Sequence, residues 1–282
     1  MNRNLFYTSG VKISYLEWGA GNPQTMICVH GLTGSADDFK FVGEYFAARD
    51  YRVLAVDMPG RGDSDFLQDP DDYNFDFYID VLQRFLRETG ITSCAWLGVS
   101  MGGLLGIRMA ALEETVIKKL MLIDIGPEVP QTALDAISFY LTLSPVFQTM
   151  EGVIGALKQS VGTPFYRGPM SEQEWEYYAS THVRQRDDGA YVRSFDSKIM
   201  AKFNTEPLGK QDLWACWEKI AQPVLSIRGS LSELFTPEIM EKMKERKNGK
   251  NIDLATIPDC GHVPSLYPES QLEILQNWLD RI

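Results

Sequence analysis

The chain is poor in cysteine and histidine, has no long apolar run and carries no excess of positive charge. Each shortage excludes something. Four cysteines in 282 residues (Cys28, Cys94, Cys216 and Cys260) stand without paired spacing. A disulfide framework is therefore not expected, whereas reduced, mostly buried thiols in a cytoplasmic protein are. No apolar run approaches the ~18 residues needed to cross a bilayer. The opening MNRNLFYTSGVKISY has no apolar signal core and no small-residue cleavage site. Lysine and arginine total 27 against 38 aspartates and glutamates, a net charge of −11. That balance favours solubility and argues against nucleic acid or an anionic membrane as partner.

What is present is the composition of an ordinary globular protein, 44% hydrophobic and 23% charged. Short β-rich runs alternate with longer helical patterns, which predicts an α/β fold, a mainly parallel sheet with helices on both faces. NLFYTSGVKISYLEWG reads as two strands in a hairpin turning at Ser9-Gly10. TMICV and YRVLAV are apolar throughout, as strands buried on both faces are. Between them ADDFKFVGEYFAARD has helical spacing, and a second helix spans about Phe75 to Thr89. SCAWLG, KKLMLIDIG, PVLSIRG and NIDLATI supply further strands, and PESQLEILQNWLDRI a closing amphipathic helix with proline at its start. From about Pro130 to Trp214 the alternation stops, leaving helix-like aromatic pieces such as ALDAISFYLTL and SEQEWEYYASTHVRQ. This region reads as a helical insertion, with a core domain formed by 1–129 and 215–282.

One serine stands between two glycines in WLGVSMGGLLG, where an apolar strand gives way to an apolar helix. A strand-to-helix turn this tight requires Gly98 and Gly102, because larger side chains would strike the adjoining elements. Ser100 at the corner would be held above the carboxyl end of the sheet, at a helix amino terminus that favours developing negative charge. A serine hydroxyl needs a base, and there are three histidines to choose from. His30 follows a strand and suits a structural bond within its loop. His182 lies in the insertion. His262, after the last strand, falls at the same sheet edge as Ser100 and is the expected base. A carboxylate should orient the imidazole. Glu233, after the next-to-last strand, is favoured, giving the chain order Ser, Glu, His; Asp124 in MLIDIGPE is the alternative. The oxyanion donors expected are the backbone N–H groups of Met101 and Leu32.

These motifs, VHGLTGS, DMPGRGDSD, GVSMGG, RGSLSELF and GHVP, resemble the α/β-hydrolase superfamily over nearly the whole chain outside the insertion. The resemblance implies an eight-stranded, mainly parallel sheet with a helical cap after the sixth strand, where residues 130–214 fall. It is nearest to the small, capped, bacterial-type carboxylesterases and hydrolases of aromatic ring-cleavage products. That subgroup usually places Asp in the RG..S loop, and this chain has Glu233 there.

Other signals have plainer readings. Arg61-Gly62-Asp63 reads as a backbone turn, not an adhesion site, and the acidic run from Asp63 to Asp72 lacks calcium-loop spacing. The aromatics Trp175, Tyr177, Tyr178, Trp214 and Trp217 read as packing, with some lining an apolar acyl pocket. Arg184, Arg186 and Arg193 read as surface residues or as holders of an acidic substrate. The expected activity is hydrolysis of a small ester through an acyl-enzyme, with no cofactor and no metal. Carbon–carbon hydrolysis of a vinylogous diketone by the same triad is the alternative. Its enzymes usually have Asn before the serine, and here Val99 precedes it. A binding protein without catalysis is a third reading. The partner expected is a small molecule with an apolar acyl or aromatic part, acted on by a monomer or homodimer.

Overall fold

The computed structural model of the protein describes residues 1–205 and 212–282. The chain opens with β1 (Asn2–Thr8) and β2 (Val11–Trp18), joined by Ser9 and Gly10 at φ 51° and 76°. Two consecutive positive φ values match the right-handed strand twist, which is why this dipeptide closes the hairpin. Six more strands complete the sheet, and a short pair, β7 and β8, lies outside it. In chain order they are β3 (Gln24–Val29), β4 (Tyr51–Val56), β5 (Cys94–Val99), β6 (Ile117–Ile123), β7 (Val183–Gln185), β8 (Tyr191–Arg193), β9 (Val224–Gly229) and β10 (Ile252–Ile257). The main sheet runs β1-β2-β4-β3-β5-β6-β9-β10. β2 pairs antiparallel with both β1 and β4; the six strands of the main sheet from β4 to β10 pair in parallel. An eight-stranded, mainly parallel α/β sheet is therefore the architecture.

Period-two alternation sends successive side chains to opposite faces, and here both faces are apolar. Met26 and Cys28 of β3 pack on one side with Phe39, Val42 and Phe46 and with Leu272, Leu275 and Trp278. These come from α1 (Lys40–Ala47), the short helical turn before it, and α10 (Glu269–Leu279). Ile27 and Val29 point to the other side, among Tyr78, Leu82, Leu105, Trp217 and Ile239. That layer is built from α2 (Phe75–Glu88), α3 (Met101–Ala110), α8 (Trp214–Lys219) and α9 (Pro237–Arg246). Polar caps start several of these helices: Asn74 accepts the Phe77 N–H, and Thr236 accepts the Ile239 N–H.

The insertion between β6 and β9 holds α4 (Gln131–Thr142), α5 (Met150–Lys158), α6 (Glu172–His182) and α7 (Lys198–Thr205). The expected limits of 130–214 include 206–211, which lie outside the described residues. It is not wholly helical. The helix expected through VRQ stops at His182, and β7 pairs antiparallel with β8. The cause is the Asp187-Asp188-Gly189 turn, where Gly189 adopts φ 84° and donates to the Arg186 carbonyl at 2.9 Å. Entry and exit of the insertion meet: Leu213 N–H donates to the Pro127 carbonyl at 2.9 Å, and Glu128 accepts from the Trp214 indole at 2.6 Å. No helix among the described residues is long and apolar enough to cross a membrane.

Candidate active site

Ser100 sits between β5 and α3 at φ 49° and ψ −112°, a conformation costly for any residue with a side chain. Its neighbours make that corner possible. A Cβ on Gly98 would stand 2.3 Å from the Gly102 carbonyl oxygen, and one on Gly102 would stand 2.0 Å from the Val29 carbonyl oxygen. Neither contact is sterically allowed, so the turn closes only with glycine at both sites. The Trp96 indole then pins it by donating to the Gly102 carbonyl at 3.1 Å.

His262 follows β10 and turns its ring to the serine. Its Nδ1 is 2.7 Å from Asp124 Oδ2, and its Nε2 is 2.9 Å from Ser100 Oγ. An ionised carboxylate only accepts, so the proton is on Nδ1; the bare Nε2 can then take the serine proton. Asp124 directly follows β6, at φ 55°, and is fully buried. It also accepts the Gly229 N–H at 2.8 Å and the Ser232 hydroxyl at 2.5 Å. The expectation that Glu233 would face the histidine is corrected here, because Glu233 is exposed and Asp124 occupies the ring's Nδ1 side. In the loop after β9, Ser232 turns inward while Arg228 ties the loop down through the Ser232 and Phe235 carbonyls. The next residue, Glu233, is thereby directed to solvent. Ser232 and Gly229, which support the acid, were not singled out in the sequence.

The loop carrying Leu32 is fixed from below. His30 is fully buried; its Nε2 accepts the Met58 N–H at 3.0 Å, so Nδ1 carries the proton and donates to the Gly31 carbonyl at 2.6 Å. Burial, aided by the nearby Arg61 charge, lowers the His30 pKa to about 4, and the ring stays neutral. Arg61 is itself buried, and its Nε donates to the Leu32 carbonyl at 2.8 Å while Nη1 reaches the Tyr78 hydroxyl at 2.6 Å. The arginine of Arg61-Gly62-Asp63 is thus turned inward and unavailable to partners. Among the described residues, the Leu32 and Met101 N–H groups have no protein acceptor, and both residues adjoin Ser100.

Above Ser100 and His262 lies a cavity of about 700 Å³ roofed by the insertion, with Leu141, Phe147, Val153, Leu157 and Trp175 in its walls. A small apolar notch of about 30 Å³ opens beside Ser100 toward Leu134 and Phe203. Of the arginines expected at the surface or on a substrate, Arg184 and Arg186 are exposed, and Arg193 lines the cavity. His182 also lines it, as do Trp175 and Tyr178, whereas Trp217 packs in the core. No group of metal-ligating side chains occurs among the described residues.

A serine at a tight corner between strand and helix, a histidine after the last strand and an acid beside that histidine thus meet at one edge of the sheet. The family profile for the alpha/beta hydrolase fold matches residues 24–268, and the chain belongs to that family. It is similar to the 3-hydroxybutyrate-oligomer hydrolase of Cupriavidus necator, 31% identical over 272 residues that span 93% of this chain and 91% of the relative. An esterase of Mycobacterium tuberculosis is 26% identical over 282 residues, 95% of this chain and 86% of the other. The crystal structure of an alpha/beta hydrolase from Novosphingobium aromaticivorans superposes with a TM-score of 0.87 at 30% identity, covering 100% of this chain and 98% of that one. The chain is a hydrolase of this fold, with esterases among its relatives.

Proposed function

We propose that the protein is a serine esterase acting on a small ester through an acyl-enzyme. The observation that carries this reading is the unbroken hydrogen-bond relay from Ser100 Oγ through His262 to Asp124. His262 takes the Ser100 proton as the oxygen attacks the ester carbonyl, and Asp124 holds the imidazolium that results. The tetrahedral oxyanion is received by the backbone N–H groups of Leu32 and Met101, aided by the amino terminus of α3. Collapse expels the alcohol, which His262 protonates, and water activated by the same ring then releases the acid. No step calls for a metal or an organic cofactor. The apolar cavity walls suit an acyl chain or aromatic group, and a small-molecule substrate fits a space of this size. The similarity to a hydrolase of 3-hydroxybutyrate oligomers supports linear hydroxyacid esters as the substrate class.

Hydrolysis of p-nitrophenyl esters from acetate to decanoate, with Ser100→Ala beside the wild type, tests the mechanism. The expected result is turnover by the wild type that falls by roughly 10⁴-fold or more in the variant. Equal rates in the two proteins would remove Ser100 from the reaction.

A further inference from the structure

The cavity over Ser100 contains a cation, Arg193, that has no counter-charge among the described residues. Arg193 closes β8, half-buried, and its Nη2 donates to the Tyr140 carbonyl at 3.0 Å. The guanidinium carbon stands 4.3 Å from the centre of the Tyr140 ring and 5.7 Å from that of Phe195, so its position is fixed by stacking. Its Nη1 is buried and bonds to nothing, and no carboxylate lies within ion-pair distance of Arg193 among the described residues.

The other charged groups on the cavity wall do not neutralise it. Arg167 lies 4.7 Å from the centre of the Tyr178 ring, and its Nε is also buried without a partner. Tyr140 with Arg193 and Tyr178 with Arg167 line the same cavity. Asp38 faces Arg167 electrostatically, and one of its oxygens is 3.4 Å from His182 Nε2. His182 donates through Nδ1 to the Tyr178 carbonyl at 2.9 Å, and burial lowers its pKa. Asp38 thus sits beside His182 and acts on Arg167, His182 is held toward its neutral form, and Arg193 is left without a carboxylate beside it among the described residues. A buried N–H without an acceptor, on a charged group without a partner, is destabilising for the free protein. A ligand that sets an anionic oxygen against the accessible part of the guanidinium, which faces the cavity, would supply the missing counter-charge.

We propose that Arg193 anchors a carboxylate of the substrate, so that the cavity selects esters that also carry a free acid. Among the described residues only one of the five guanidinium N–H groups is engaged, at the Tyr140 carbonyl, and Asp38 shares the wall. A single negative charge suits this arrangement better than a phosphate dianion, which would meet stronger repulsion. A linear hydroxyacid oligomer has this chemistry, with ester bonds along the chain and one free carboxylate at its end. The identity of the cleaved bond rests on the esterase reading; the anchoring of the carboxylate does not.

The test separates the two. Ser100→Ala protein is titrated calorimetrically with the linear dimer of 3-hydroxybutyrate as the free acid and as its terminal primary amide. The acid is expected to bind about tenfold more tightly or better, as a charge-assisted hydrogen bond implies. Adding Arg193→Met should bring the two ligands level, and Arg193→Lys should keep part of the preference. Equal binding of acid and amide by Ser100→Ala protein would overturn the proposal, as would a preference that survives Arg193→Met. The acid–amide comparison needs no change at Arg193, so it decides even if that variant folds poorly. Acid preference without any ester cleavage by the wild type would leave the anchor standing and remove the esterase reading. Ester cleavage with equal acid and amide binding would do the reverse.

Discussion

Asp124 satisfies three donors at once: the His262 ring, the Ser232 hydroxyl and the Gly229 N–H. Its replacement by Asn would present an N–H to the ring's Nδ1 and favour the tautomer that cannot accept the serine proton. Asp124→Asn is therefore expected to lower kcat on p-nitrophenyl butyrate by ~10⁴-fold with little change in KM. Glu233→Gln, at an exposed position, should stay within about twofold of the wild type in the same assay. The serine stood out by its two glycines and the histidine by its place after the last strand, and their side chains lie 2.9 Å apart. The sequence favoured the wrong carboxylate. Glu233 and Asp124 both follow strands that end at one sheet edge, and spacing does not tell which loop residue turns inward. That choice is made by Arg228, which binds the loop's carbonyls and leaves Ser232 facing the acid.

At the scale of elements, the corner between β5 and α3 is the part most closely specified by sequence, since glycine is required where backbone meets backbone. Gly102→Ala would drive a methyl group against the Val29 carbonyl. The expected outcome is a loss of more than about 3 kcal/mol in urea unfolding, or insoluble protein, because strand and helix cannot both give way. Gly155 is a useful contrast. It lies within α5, exposed, and a Cβ there meets no atom within 4 Å. Gly155→Ala should raise stability by about 0.5–1 kcal/mol in the same measurement, through lower entropy of the unfolded chain and better helix propensity. The long strands and helices were readable because their periodicity persists over many residues. The β7–β8 pair was not, since each strand is three residues long and VRQ continues a helix pattern as readily as it starts a strand.

Across the whole molecule, His30 links the loop after β3 to the loop after β4 and makes stability depend on pH. Its folded-state pKa of about 4 lies below the ordinary 6.5. Below pH 6.5 the unfolded chain takes up a proton that the folded chain refuses until near pH 4, so this contribution is lost as the pH falls through that window. At ~1.4 kcal/mol per pKa unit the full loss is on the order of 3 kcal/mol. His30→Gln removes the titrating group, and its unfolding free energy should fall less between pH 6.5 and pH 4.5 than that of the wild type. Equal losses in urea titrations at the two pH values would contradict this. A different consequence follows from the hydrogen bond between Leu213 and Pro127. It ties the two ends of the insertion side by side, beyond the last paired residue of β6, so the core closes on itself whatever lies between them. The roof is thus an exchangeable cassette. A roof of another length or chemistry could be grafted between the same two residues, changing what is admitted while the relay beneath keeps its geometry.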